Sequence, residues 1–165
     1  MELASLLLST TLALELRNAP QQFEEHDCLI DNLLHEARGE PLIGQLAVLE
    51  VVYTRAARSD YPNTICGVVY QSYQFSWTNP NALIGSPTEA EVLESARLVY
   101  SYLYSDGLPS TSVKGATHYL NPDKLDKLPE WYYRFEKLGR IGNHEFLRKP
   151  DIPGLEIAND IIYLD

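Results

Sequence analysis

The chain has 165 residues, long enough for one domain with a buried core and too short for a catalytic unit plus a separate binding module. With 45% hydrophobic residues, 22% charged residues and 11 tyrosines, its composition is that of a folded globular protein. A formal charge of -10 opposes the attraction to phosphates on which nucleic-acid affinity depends, so nucleic acid is disfavoured as a partner.

Residues Leu3 to Leu14 are apolar but too few to span a bilayer, and with Glu2 and no early Lys or Arg they lack the positive start of a secretory signal. They are expected to form an ordinary helix on the core, within an N-terminal helical extension over 1–26. A folded domain is expected over 27–149 and a tail over 150–165. Leu29, Ile30, Leu33, Leu34 and Ala37 repeat every 3.6 residues and predict a short amphipathic helix that stops at Gly39, ahead of Pro41. The segment Leu42 to Ala57 is apolar nearly all round, as in a central helix covered on most sides. Asp60 to Asn63 reads as a turn and Thr64 to Tyr70 as a short helix. Gln71 to Asn81 reads as a polar and aromatic loop whose Gln74-Phe75-Ser76-Trp77 is placed to line a cleft.

Ser86-Pro87-Thr88-Glu89 predicts a capping box with Pro in the first turn, opening a helix whose buried stripe is Val92, Ala96, Val99 and Leu103 and which ends at Asp106-Gly107. Beyond Pro109 the pattern predicts loops and a small β-hairpin region, and the tail, closing in Ile161-Ile162-Tyr163, is expected to pack back as an extended strand. The expected class is mainly α, of the α+β kind, in a single domain without repeats.

On a helical wheel Glu36 lies three residues after Leu33, so its carboxyl runs along the edge of the buried stripe. Desolvation there raises a carboxyl pKa and keeps the acid protonated near neutral pH, which is what general-acid cleavage of a glycosidic bond requires. A helix-end ion pair with Arg38 or Arg55 accounts for the pattern equally well. Cys28 and Cys66 read as two buried thiols, able to pair or stay reduced, and a Cys28–His118 nucleophile pair is disfavoured. His35-Glu36 does not open a helical zinc motif, since position 39 holds Gly39 instead of a second His. No metal and no cofactor are expected.

The run Glu36-Ala37-Arg38-Gly39-Glu40 resembles the signature of the SleB/CwlJ-type cell-wall hydrolases. Further blocks follow in the same order: Gly44-Gln45 with Ala47-Val48 and Arg55, then Tyr61-Pro62-Asn63-Thr64-Ile65-Cys66-Gly67-Val68-Val69-Tyr70-Gln71, then Gln74-Phe75-Ser76. Gly115-Ala116-Thr117-His118-Tyr119 with Asn121-Pro122, and Ile141-Gly142-Asn143-His144 with Phe146, resemble the closing blocks. The resemblance covers Leu33 to Arg148, and an ordered series of blocks is more specific than one short motif. It implies a lysozyme-like, lytic-transglycosylase-like fold, a catalytic domain over 27–149, Glu36 as the catalytic residue, and cleavage of the bond between N-acetylmuramic acid and N-acetylglucosamine in peptidoglycan. Thr54 stands where the family typically carries Asn, and Glu50 where it usually has a small residue.

Sugar sites combine hydrogen-bonding groups with flat apolar faces, so Gln74, Phe75, Ser76, Thr117, His118 and Tyr119 are the expected glycan contacts. A structural role for His118, and core positions for Trp77 and Trp131, are equally open. Glu40 is expected to pair with Arg38, Glu50 to be buried against Arg55 or partly exposed, and His35 to face solvent. The alternatives to a lytic transglycosylase are a muramidase, an amidase cutting the muramoyl-alanine link, and a silent wall-binding protein that keeps the fold. A monomer acting on the bacterial wall is expected, with the compactness of the chain leaning towards a phage lysis protein present in host cytoplasm before lysis.

Overall fold

The computed structural model describes residues 24–72, 74–78, 85–104 and 110–151. The expected N-terminal helix, the end of the fourth helix at Asp106-Gly107 and the C-terminal strand lie outside them. Four helices, α1 (24–36), α2 (Leu42–Ala56), α3 (Ile65–Val69) and α4 (Glu89–Tyr104), precede a sheet of β1 (His118–Leu120), β2 (Glu136–Ile141) and β3 (His144–Arg148). Single 3-10 turns at Ser76–Thr78 and Glu130–Tyr133 interrupt the connections. Among the described residues no helix is long and apolar enough to cross a membrane.

Helix α1 ends at residue 36, and Gly39, at a φ of +84°, reverses the chain in a conformation that costs a side-chain-bearing residue strain. Because α1 is already helical at residue 24, the boundary expected at 26/27 falls inside it. Helix α2 is the hub. From Gly44 to Val52 every residue is buried, and Ala47, Val48, Leu49, Val51 and Val52 are closed to solvent all round. Burial of each such Val or Leu stabilises the fold by roughly 1.5–3 kcal/mol relative to exposure. Around it pack Leu29, Leu33 and Ala37 of α1, Val68 and Val69 of α3, Leu98 and Val99 of α4, and Tyr119 and Phe146 of the sheet.

Two local expectations for α4 are corrected. The helix opens at Glu89, two residues later than Ser86-Pro87 implied, and its capping box is Thr88 with Glu91. The Glu91 carboxylate accepts from the Thr88 N–H at 2.7 Å, and Thr88 Oγ1 accepts from the Glu91 N–H at 3.3 Å. The buried face is Ser95, Leu98 and Val99, with Tyr102 packed on Tyr53 at 5.3 Å, while Val92 is exposed. Counting aliphatic residues alone missed a small Ser that permits close approach and a Tyr that pairs with another ring.

The sheet is antiparallel in the order β1-β3-β2. The expected hairpin is β2–β3, closed by Gly142-Asn143, with Gly142 at φ +59°. Alternation along β1 sends Tyr119, paired with Phe146, into the main core. His118 and Leu120 point the other way, where Leu120, Leu147, Trp131, Tyr132 and Phe135 make a second, smaller core. The cysteines are not thiols: Cys28 and Cys66 form a disulfide that joins α1 to α3. The Glu25 carboxylate, which accepts the Ile65 N–H at 2.6 Å, ties the same two helices.

Candidate active site

Glu36 occupies the last helical position of α1, beneath the sheet. It is 5% exposed, and its Oε2 accepts a hydrogen bond of 2.7 Å from the Tyr119 hydroxyl, a residue 83 positions further along the chain. Its Oε1 is buried without a hydrogen-bond partner. Burial pushes the Glu36 carboxyl up to about 8, against the opposing pull of the Tyr119 hydroxyl, the nearby Trp77 indole N–H and the Arg55 charge. Of the two arginines considered from the sequence, Arg38 reaches Glu91 at 3.7 Å, while Arg55 acts on Glu36 through its charge and donates to Thr117 and Gln74.

Arg55, fully buried on α2, donates from Nε to the Thr117 carbonyl at 2.6 Å and from Nη1 to Gln74 Oε1 at 2.8 Å. It thereby joins the loop after α3 to the start of β1 and leaves a positive charge behind Glu36. Tyr119 has its own pKa driven well above the usual phenol range by burial and by the Glu36 carboxyl, so it remains a donor. Asn32, on the same face of α1 as Glu36, stands beside that hydroxyl. His144 packs on the Tyr119 ring at 5.2 Å, and burial lowers its pKa.

The structure places five of the six expected glycan contacts inside the protein. Gln74 holds Arg55, Phe75 is in the main core, and Tyr119 binds Glu36. Thr117 Oγ1 accepts the Lys149 N–H at 2.8 Å and lies 2.9 Å from His118 Nδ1. His118 lies between Trp131 and Phe135, at 4.9 and 4.8 Å, in the second core. It faces away from Glu36 because adjacent strand residues point to opposite faces. Ser76 opens the 3-10 turn that carries Trp77.

Sequence reasoning set His35 towards solvent and left Trp77 open between a cleft-lining loop and the core. The two rings stack at 4.5 Å with 24° between planes, each half-buried, directly beside Glu36. For His35 the available signal was that it precedes Glu36 on one helix. The expected partners of two other acids are also corrected. Glu40 does not pair with Arg38; its carboxylate accepts from the Asn143 N–H at 3.0 Å and side-chain amide at 2.7 Å, in the β2–β3 turn. Buried Glu50 accepts from the Thr111 N–H at 3.0 Å and from its hydroxyl rather than from Arg55.

Cys28 is in a disulfide and cannot serve as a nucleophile. Among the described residues no three His, Cys, Asp or Glu side chains are grouped as metal ligands, and His118 and His144 point to opposite faces of the sheet. The arrangement offers one carboxyl poised to give and retake a proton, held by one phenol.

The sequence model described as Cell Wall Hydrolase matches residues 39–147, beginning three residues after Glu36. A spore cortex-lytic enzyme of Bacillus cereus is 28% identical over 133 residues, covering 79% of this chain and 48% of that protein. One from Halalkalibacterium halodurans is 30% identical over 131 residues, covering 78% and 37%. The chain thus spans less than half the length of these curated relatives. The catalytic domain of the germination-specific lytic transglycosylase SleB from Bacillus anthracis superposes with a TM-score of 0.59 at 24% identity, covering 75% of this chain and 93% of that one. The catalytic domain of the Bacillus cereus SleB protein does so at 0.55 and 25%, covering 76% and 91%. With α2, α3, α4 and all but the last residue of the sheet inside the matched stretch, the chain belongs to the cell wall hydrolase family.

Proposed function

We propose that this protein cleaves the glycosidic bond between N-acetylmuramic acid and N-acetylglucosamine in peptidoglycan as a lytic transglycosylase, with Glu36 as both acid and base. The observation that carries the reading is the buried Glu36 carboxyl, held by one hydroxyl on Oε2, without a hydrogen-bond partner on Oε1, and raised to about 8. At neutral pH it is a protonated acid. Its proton passes to the glycosidic oxygen as the bond from that oxygen to muramic-acid C1 breaks. The C6 hydroxyl then bonds to C1 and gives its proton to the Glu36 carboxylate, which closes a 1,6-anhydro ring and restores the acid. No second carboxylate is needed, in contrast to two-carboxylate hydrolysis. Glu40 and Glu50 are accordingly engaged by Asn143 and Thr111.

The half-buried groups beside Glu36 are His35 and Trp77, and a glycan would approach over them. Gln74, Phe75, Thr117, His118 and Tyr119 then act from behind: Tyr119 on Glu36 itself, Gln74 and Thr117 through Arg55, and Phe75 and His118 as packing. The Cys28–Cys66 disulfide supports action outside a reducing cytoplasm, at the wall. The similarity to spore cortex-lytic enzymes of bacilli lends no support to a phage setting.

Mass spectrometry of purified peptidoglycan digested by the wild type and by Glu36→Gln tests the reading. It predicts 1,6-anhydromuropeptides from the wild type and none from the variant. Reducing muramic-acid ends would mean hydrolysis, free stem peptides an amidase, and activity surviving in Glu36→Gln would remove Glu36 from the mechanism.

A further inference from the structure

We propose that Trp77 is a second hydrogen-bond donor to the Glu36 carboxylate, and that His35, stacked on its indole, is the residue that positions it. The inference rests on the reading of Glu36 as acid and base. His35 and Glu36 are consecutive on α1, so the helix turn that presents the carboxyl also presents the imidazole, 4.5 Å from the Trp77 ring. Tyr70 meets Trp77 edge-on at 5.8 Å while its hydroxyl donates to Asp31 of α1 at 3.1 Å, and Phe75 flanks it at 6.4 Å. The turn beneath is pinned by Thr78 Oγ1, which donates to the Phe75 carbonyl at 2.8 Å. The indole is held from several directions.

What it is held for follows from two orphaned atoms. Trp77 Nε1 and Glu36 Oε1 are both buried, and neither has a partner in bonding geometry. An indole nitrogen can only donate, and an ionised carboxylate oxygen can only accept. Since Tyr119 donates to Oε2, the proton of the neutral acid belongs on Oε1, where an O–H gives the indole little to bond. When that proton leaves for the glycosidic oxygen, Oε1 becomes an acceptor with an unused donor beside it. Trp77 therefore favours the carboxylate that must next act as base, and its N–H already opposes the upward pull of burial on Glu36. The titratable and charged groups facing Glu36 are Tyr119 from β1 and Arg55 from α2. Those facing His35 are Asp31 and Arg38, and burial keeps its imidazole below the usual range, a neutral ring at pH 7.

Loss of the donor raises the Glu36 pKa, so the limb on which kcat/KM falls with rising pH moves upward. Trp77→Phe, which keeps a ring and deletes the N–H, is expected to move that limb up by about 0.5–1 pH unit and to lower kcat several-fold. His35→Ala is expected to move it the same way by less, and His35→Phe, which keeps a ring on the indole, to bring it back. A lower melting midpoint in these variants with the limb unmoved would mean packing alone and would overturn the proposal. Should a variant fail to fold, the wild-type Trp77 indole N–H proton resonance decides. It is expected to move downfield as Glu36 ionises and to stay put in Glu36→Gln; a resonance that ignores pH in the wild type overturns the proposal. Activity surviving in Glu36→Gln would instead bring down the underlying reading of the site.

Discussion

Glu36 and Glu50 are both buried carboxyls beside the same core, and they differ in how their oxygens are satisfied. Glu50 in the middle of α2 has both oxygens engaged by Thr111, through its N–H and its hydroxyl. Glu36, at the end of α1, has one donor for two oxygens. A satisfied buried carboxylate joins segments of chain, in this case α2 to the loop before β1. An under-satisfied one stores a proton, because the charged form is poorly solvated while the neutral form costs little. On the proposed reading, incomplete satisfaction on top of burial marks the acid that would do chemistry.

The first way to strain this comparison is to remove the staple on the Glu36 side only. The disulfide closes a separation of 38 residues and fixes α1, which carries Glu36, to α3. Cys28→Ser is expected to lower unfolding free energy by about 4 kcal/mol on loop-closure grounds, read by urea denaturation.

Glu36→Gln is expected to act in the opposite direction. The folded pKa of Glu36, about 8, stands above its ordinary value of 4.5, so between these the unfolded chain gives up a proton that the folded protein keeps. Stability contributed by the protonated acid is complete below pH 4.5 and is lost as pH rises through 8. The uncharged amide escapes this loss, and at pH 8 the variant is expected to exceed the wild type by on the order of 4 kcal/mol while losing activity. Melting curves across pH 5 to about 8 read the divergence, and parallel curves would contradict it.

Thr111→Val, which takes the hydroxyl from Glu50, is expected to cost about 1–3 kcal/mol and to leave activity per folded molecule unchanged. Loss of turnover at equal folded fraction would erase the distinction between the two acids. Tyr119→Phe tests the Glu36 side through its pKa alone. Removing the donor on Oε2 raises the Glu36 pKa further and moves the high-pH limb of kcat/KM upward by about one unit.

Much of this was legible in the sequence. The apolar period on α1 and the break at Gly39 located Glu36 at the edge of the core, and the all-round apolar run of α2 located the hub. The Tyr119–Glu36 bond was not legible, because β1 is only three residues long and its facing depends on pairing with β3, which closes through a separate hairpin. For the same reason His118 and Tyr119, adjacent in a motif, both read as glycan contacts although they enter different cores. Trp77 was read in a cleft-lining loop and His35 at a solvent-facing helix position, and nothing in the sequence shows that the two rings stack. The start of α4 was misplaced because Ser86 to Glu89 and Thr88 to Glu91 satisfy the same spacing rule, and the sequence alone does not choose between them.

The central claim is that Glu36 is protonated at neutral pH in the folded enzyme. Carbon-13 NMR of the glutamate side-chain carboxyls, with the Glu36 signal identified by its absence in Glu36→Gln, measures this directly. The account predicts a titration near 8, far from the exposed glutamates. A Glu36 signal that titrates at 4.5, the ordinary value, would contradict it.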